Sequence, residues 1–169
     1  MSSDSIATFQ RRAVDRQATI ERTTVSEFDG ALADCLKEPA VGVPLAFDDV
    51  SLADHPVELD PSPADLDAAA TGVTPVGPAV AEYGSVVIPS DERGAEAVSL
   101  YPETHVAVLA ASDVYPTLST ALAEVSEELA EGLTSVVFAT GPSATADMGA
   151  PVYGVHGPAK LHVLLLEDR

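Results

Sequence analysis

The sequence predicts an α/β layer fold with a mostly parallel sheet, and three observations carry that prediction. Short apolar, partly β-branched runs alternate with helical patterns along the second half of the chain. The last run, Leu161 to Leu166 (LHVLLL), is apolar on both faces, as a central strand covered on two sides must be. At 169 residues with 46% hydrophobic side chains, the chain has material for one well-filled core.

The elements follow in order. Residues 5 to 21 read as a helix, with Asp4 as its cap and Ile6, Phe9, Ala13 and Ile20 as an apolar stripe. Thr24-Val-Ser-Glu27 has the spacing of a capping box and opens a second helix to Leu36, burying Phe28, Ala31, Leu32 and Cys35. Val41 to Phe47 reads as a strand, and the acidic, Pro-containing segment 48–61, which holds His55, as a surface loop. Ser62-Pro63-Ala64-Asp65 combines a cap, a proline in the first turn and an early acid, starting a short helix that Gly72 ends. Ala79–Glu82 and Gly84–Ile88 form a hairpin-like pair, so part of the sheet is expected to be antiparallel. His105–Ala110 is the next strand. Pro116 opens a helix in which Leu118, Leu122, Val125 and Leu129 recur at helical steps, and Gly132 stops it. Ser135–Ala139 and Leu161–Leu166 are the last strands. The chain is read as a single domain over 1–169, with residues 1–70 a mainly helical lead-in and 71–169 an α/β core.

Charge narrows the function classes. Asp and Glu number 27 against 8 Lys and Arg, a net charge of −19 with the acids spread over the whole chain. Such a surface has no basic patch to neutralise phosphates, which excludes nucleic acid as the expected partner. Self-repulsion of this size calls for screening, and at about 1 M salt the Debye length falls to about 3 Å. The expectation is a cytoplasmic protein of a salt-loving cell. The N-terminal MSSDSIATFQRR has no signal-peptide pattern, and no apolar run is long enough to span a membrane. Cys35 is the single cysteine, so this chain forms no internal disulfide and holds no iron–sulfur cluster of its own; a buried small hydrophobe is its default role.

The chemistry-bearing residues concentrate in 140–166. Thr140, Gly141, Pro142 and Ser143 follow the strand TSVVFA, at what is expected to be a strand's carboxyl end, where open α/β sheets bind ligands. Ser143 or Thr145 could cap a short following helix whose N-terminus favours an anion, a carboxylate or phosphate; the bland alternative is a turn with no ligand. Asp147 is either a base, a pocket acid or a helix cap. His156 lies in the loop Gly154-Val-His156-Gly157-Pro158, where packing demands no histidine. His162 and His105 lie in apolar strands and read first as core histidines. Asp147, His156 and His162 are metal-ligand types, but their spacing matches no standard zinc pattern, and no metal is assigned. Nucleophile elbow, P-loop and dinucleotide glycine fingerprint are all absent. In Ala81-Glu82-Tyr83-Gly84-Ser85, Glu82 is either an acid–base group in apolar surroundings or an edge-strand carboxylate in solvent.

TGPSATAD and GVHGPAKLHVLLL, with GVTPVGPAVAEYGSVVI at 72–88 and LYPETHVAV at 100–108, resemble the signature of the lactate utilization protein C family, the LUD domain. The resemblance covers 71–169 closely. It implies a three-layer α/β/α fold related to the sugar-phosphate isomerase and CoA-transferase superfold. It also implies a part in oxidising L-lactate to pyruvate beside two partner proteins, at least one of which carries iron–sulfur clusters. Carried over by position, the motif residues are Glu82, Gly84, His105, Thr140, Gly141, Pro142, Ser143, Thr145, Asp147, Gly154, His156, Gly157, Pro158 and His162. Tyr83 and Ala144 depart from the pattern, where threonine and a basic residue are usual, and the stretch Met148–Tyr153 is about one residue short. Without the basic residue, an anion beside Ser143 would depend on backbone N–H groups.

Three functions compete at this stage. The chain is a non-cluster subunit of a lactate-oxidising system with a small-ligand pocket, a stand-alone enzyme acting on a phosphorylated or CoA-linked substrate, or a regulatory or scaffold module. For the first two, Asp147, His156 and Glu82 are the catalytic candidates, and the remaining motif residues are candidates for the ligand contact.

Overall fold

The computed structural model describes residues 3–90, 92–146 and 149–169. In chain order the elements are α1 (Ser3–Asp15), β1 (Thr19–Thr23), α2 (Phe28–Cys35), β2 (Ala40–Gly42), β3 (Val57–Glu58), α3 (Pro63–Ala68), β4 (Thr71–Val76), β5 (Ala79–Val80), β6 (Ser85–Pro89), α4 (Ala95–Leu100), β7 (Thr104–Ala110), β8 (Val114–Tyr115), α5 (Leu118–Ala130), β9 (Val136–Ala139), β10 (Ala144–Thr145), β11 (Val152–Tyr153) and β12 (Lys160–Leu166). Six of the strands form one parallel sheet in the order β1-β12-β7-β4-β2-β3. A second sheet, β8-β5-β6-β9, is mixed, with β5–β6 and β6–β9 antiparallel and β5–β8 parallel.

Both faces of the parallel sheet are covered, giving the three-layer α/β architecture. Alternate residues of β7 and β12 go to opposite sides because strand side chains alternate. Ala107, Leu109, Val163 and Leu165 pack with Phe9 and Ala13 of α1, Val98 of α4 and Ile88 of the second sheet. Val106, Val108, Leu164 and Leu166 pack with Phe28 and Leu32 of α2. Leu164, Leu165 and Leu166 are each 0% exposed, and burying a leucine stabilises by about 1.5–3 kcal/mol. This is the physical content of the run LHVLLL: it is apolar on both faces because it has two cores to fill.

The structure corrects the sequence reading in the first half. The first helix stops at Asp15 rather than 21, and Thr19–Thr23 pairs with β12 as an edge strand. The turn between them rests on Gln17 with φ 68°, a left-handed conformation that a glycine would have announced. Thr24 does not cap a backbone N–H; its hydroxyl bonds the Glu27 carboxylate, and the chain enters α2 through a 3-10 turn. The strand expected over Val41–Phe47 shrinks to Ala40–Gly42. Gly72 does not end α3; it lies in β4, where a Cβ would meet the Val98 carbonyl oxygen at 2.0 Å, so its smallness lets α4 pack against the strand. Ser62 caps α3 as read, and Asp65 returns the bond to complete a capping box. The lead-in thus supplies three strands of the parallel sheet besides its helices.

Candidate functional site

A cleft of about 350 Å³ opens between the parallel sheet and the loops that follow β9. Its floor is the start of the central strands, His105 at the second position of β7 and Leu161 at the second position of β12, with Ser99 and Leu100 from the end of α4. Its wall is Val137 to Ser143, closed by His156, Gly157 and Pro158. The cleft therefore lies at the amino ends of the parallel strands. The expectation of a carboxyl-end site fails because TSVVFA is not a strand of the parallel sheet. It forms β9, antiparallel to β6 in the second sheet, and so delivers its loop to the opposite end of the molecule's strands.

The two C-terminal motifs are the arms of one hairpin. β10 and β11 pair antiparallel, Ala144 with Tyr153 and Thr145 with Val152. The Ser143 N–H donates to the Pro158 carbonyl at 2.8 Å, and the Gly154 N–H donates to the Ser143 carbonyl at 3.0 Å. Among the described residues no helix follows Ser143; the chain goes straight into β10, so neither Ser143 nor the half-buried Thr145 caps a helix in the way expected for anion binding. Gly157 sits against this arm, where a Cβ would be 3.2 Å from the Ser143 Cβ. Gly141, at φ 72°, is wedged against the Arg16 carbonyl oxygen, which a Cβ would approach to 2.1 Å. Thr140 is tied to the second sheet by a 2.6 Å hydrogen bond between its hydroxyl and that of the buried Ser85.

His105 is the buried polar group of the cleft, 1% exposed, with Nε2 2.9 Å from the Thr74 hydroxyl. Burial without a charged partner pushes its imidazole down to about 4, so the ring is neutral near pH 7. A neutral imidazole carries one donor and one acceptor nitrogen. His156, by contrast, is exposed at the rim.

The remaining candidates separate from the cleft. Glu82 is exposed rather than set in apolar surroundings, and its carboxylate accepts the Leu118 N–H at 2.7 Å, satisfying the first turn of α5. Gly84, at φ 69°, lies where a Cβ would meet the Ala13 amide nitrogen at 2.3 Å, so it seats α1 on the β5–β6 turn. Gly154, at φ 79°, turns the hairpin against Ala159. Thr145 is half-buried in β10. His162 points to the α2 face, with Nε2 3.5 Å from the Glu21 carboxylate; burial lowers its imidazole, and Glu21 partly offsets this. Asp147 lies outside the described residues. Cys35, half-buried, donates its thiol to the Leu32 carbonyl at 3.3 Å, and burial together with Glu21 pushes it up to about 11, which leaves it a poor nucleophile. Among the described residues, no group of three or more His, Cys, Asp or Glu is placed to hold a metal ion. Ser99, Thr74, Ser85 and Phe138 belong to the site without having been singled out, since small hydroxyls and one aromatic residue in strands and helix ends carry no sequence signal of their own.

A second cavity, of about 440 Å³, lies at the carboxyl end of β4. Pro75 to Pro78 form its base, and Arg93, Asp113, Tyr115, Glu124 and Glu128 supply its polar groups. Asp113 is raised by burial and by Glu124, against a lowering hydrogen bond from Ser112. Glu128 is raised by burial and then by Asp113, Glu124 and Glu131.

The family pattern of the LUD domain matches residues 63–166, more than half of the chain and every segment that builds the cleft. The chain belongs to the LUD domain family. Its relatives include the lactate utilization protein C of Bacillus licheniformis, 36% identical over 102 residues, which cover 58% of this chain and 42% of that protein. The protein of the same name from Deinococcus radiodurans is 29% identical over 166 residues, 94% of this chain and 77% of that protein. The chain spans only about two fifths of the Bacillus relatives that it matches, 42% in B. licheniformis and 39% in B. subtilis. A crystal structure of a DUF162 family protein from D. radiodurans superposes over 99% of both chains with a TM-score of 0.78 at 24% identity, which shows the shared fold. Among the described residues, no helix is long and apolar enough to cross a membrane.

Proposed function

We propose that this LUD domain is a non-cluster component of a system that oxidises L-lactate to pyruvate, and that its part is to hold a small ligand in the amino-end cleft. The observation that carries the reading is the coincidence of two things. The region that matches the LUD domain, 63–166, contains the loops TGPS and HGP, and these loops close on His105 to form one cleft. The electrons would pass through iron–sulfur clusters on partner proteins; this chain would contribute binding and orientation. Its acid-rich surface, −19 overall, fits work in concentrated cytoplasmic salt, where that charge is screened.

The test is capture of the tagged protein from its own cell extract in molar KCl, with the eluate assayed for iron and for lactate-dependent dye reduction. Iron together with activity, and a fall in that activity in His156→Ala at an unchanged melting temperature, is the expected result. An iron-free, inactive eluate, or full activity in His156→Ala, contradicts the reading.

A further inference from the structure

We infer that the amino-end cleft selects an uncharged ligand, an apolar body carrying a carbonyl, amide or hydroxyl group, and rejects free carboxylates and phosphates. The inference rests on the reading of this cleft as a ligand site and supplies the ligand's chemical class.

Four observations converge on it. Among the described residues, the lining contains no lysine or arginine. Lys160, at the start of β12, is paired with Glu103 at 2.8 Å, and Arg16 meets Gly141 through its main chain and Cβ; neither lines the cleft. Three main-chain donors of the lining that could replace a cation are missing or taken: Pro142 and Pro158 have no N–H, and that of Ser143 is spent on the Pro158 carbonyl. The buried imidazole of His105 is neutral, and Thr74 holds one of its nitrogens. The rest of the lining is mainly apolar, with Ile88, Leu100, Val137, Phe138 and Leu161 around the hydroxyls of Ser99, Thr140 and Ser143, and His156 stands exposed at the rim. An ion moved into the body of such a site loses its hydration and meets no lysine or arginine there, whereas a neutral carbonyl or hydroxyl needs only one or two hydrogen bonds to compensate. The volume, about 350 Å³, lies in the range of pockets that take small organic molecules. A chain of −19 adds a long-range barrier to anions.

The test uses matched pairs that differ only in charge: nicotinamide with nicotinate, benzamide with benzoate, and L-lactamide with L-lactate. Binding is followed by ligand-observed NMR on the full chain, in dilute buffer and in molar KCl. The expected result is that at least the aromatic amides bind and their acids bind about tenfold more weakly or worse. The difference should persist in molar KCl, because it comes from the lining and not from the net charge. Gly157→Val, which pushes a side chain toward Ser143 and Leu100, should remove binding. Ser143→Ala, which fills nothing, should weaken it and keep the preference for the amides. Equal or tighter binding of the acids overturns the inference. So does a preference that vanishes in molar KCl, and so does the absence of binding by any amide. None of these outcomes touches the lactate-dependent activity of the captured assembly, so the ligand class and the system to which the chain belongs can fail separately.

Discussion

The two cavities lie at opposite ends of the same strands and differ in kind. The amino-end cleft is built from tight backbone: Gly141 against the Arg16 carbonyl, Gly157 against Ser143, and a hairpin that takes up the Ser143 and Gly154 amides. The carboxyl-end cavity is built from side chains, with Asp113 and Glu128 both raised, first by burial and then by neighbouring carboxylates, and with Arg93 beside them in the lining. The general rule for open α/β sheets favours the second location. The two C-terminal family motifs occupy the first, while Pro75 to Pro78 of the motif at 72–88 line the second. Position along a sheet is thus a weaker guide than the residues that the loops deliver, and here the loop comes from a strand of the other sheet.

Several changes test this contrast, the largest first. Gly141→Ala places a Cβ at 2.1 Å from a carbonyl oxygen in a left-handed position, so a loss of about 2–4 kcal/mol is expected in urea unfolding. A variant as stable as the parent would show that the loop is free to move. His105 comes next. Its imidazole titrates near 4 in the folded chain against an ordinary 6.5. The unfolded chain therefore takes up this proton first, and stability falls as pH drops from 6.5 toward 4. That amounts to about 3 kcal/mol attributable to this group. The difference between parent and His105→Gln across that window isolates it from the carboxylates; identical pH profiles would mean that the ring is not buried as described.

Glu82→Ala removes the acceptor of the Leu118 N–H. It should cost about 1 kcal/mol and leave ligand binding in the cleft unchanged; altered binding would return Glu82 to the site. At the other end, Asp113 is raised in the folded chain by burial first and by Glu124 after it. Its charged form is therefore disfavoured there, and Asp113→Asn should stabilise slightly above neutral pH, by less than about 1 kcal/mol. The gain should shrink as pH falls and the carboxyl protonates. Destabilisation at pH 8 would mean that polar contacts such as the Ser112 hydrogen bond outweigh the cost of burying the Asp113 carboxylate.

Much of this was legible in the chain, for physical reasons that differ by element. β12 announced itself because a doubly covered strand has no polar face, and α5 because its apolar residues keep helical spacing over several turns. β4 did not: TGVTPV contains a glycine that admits α4 and a proline, so a fully buried central strand looked like punctuation. β1 was hidden because Gln17, not a glycine, makes the turn that ends α1. At the candidate site, the sequence grouped Thr140 to Ser143 with His156 to Pro158, and the structure brings these two loops together in one cleft. It also credited Glu82, Gly84 and His162 to the same place. Those three share the motif but serve a helix end, a helix contact and the far face of the sheet. Sequence proximity to a motif does not report which side of a strand a residue faces, and at β12 that alternation separates Leu161 in the cleft from His162 behind it.

The most direct test of the account is to map where nicotinamide binds by following backbone amide shifts in isotopically labelled protein during a titration. The account predicts shifts at Leu100, His105, Ser143 and Gly157, with Gly77, Asp113, Tyr115 and Glu124 unmoved. Shifts confined to the carboxyl-end group, or none in the loops 140–143 and 156–158, would contradict it.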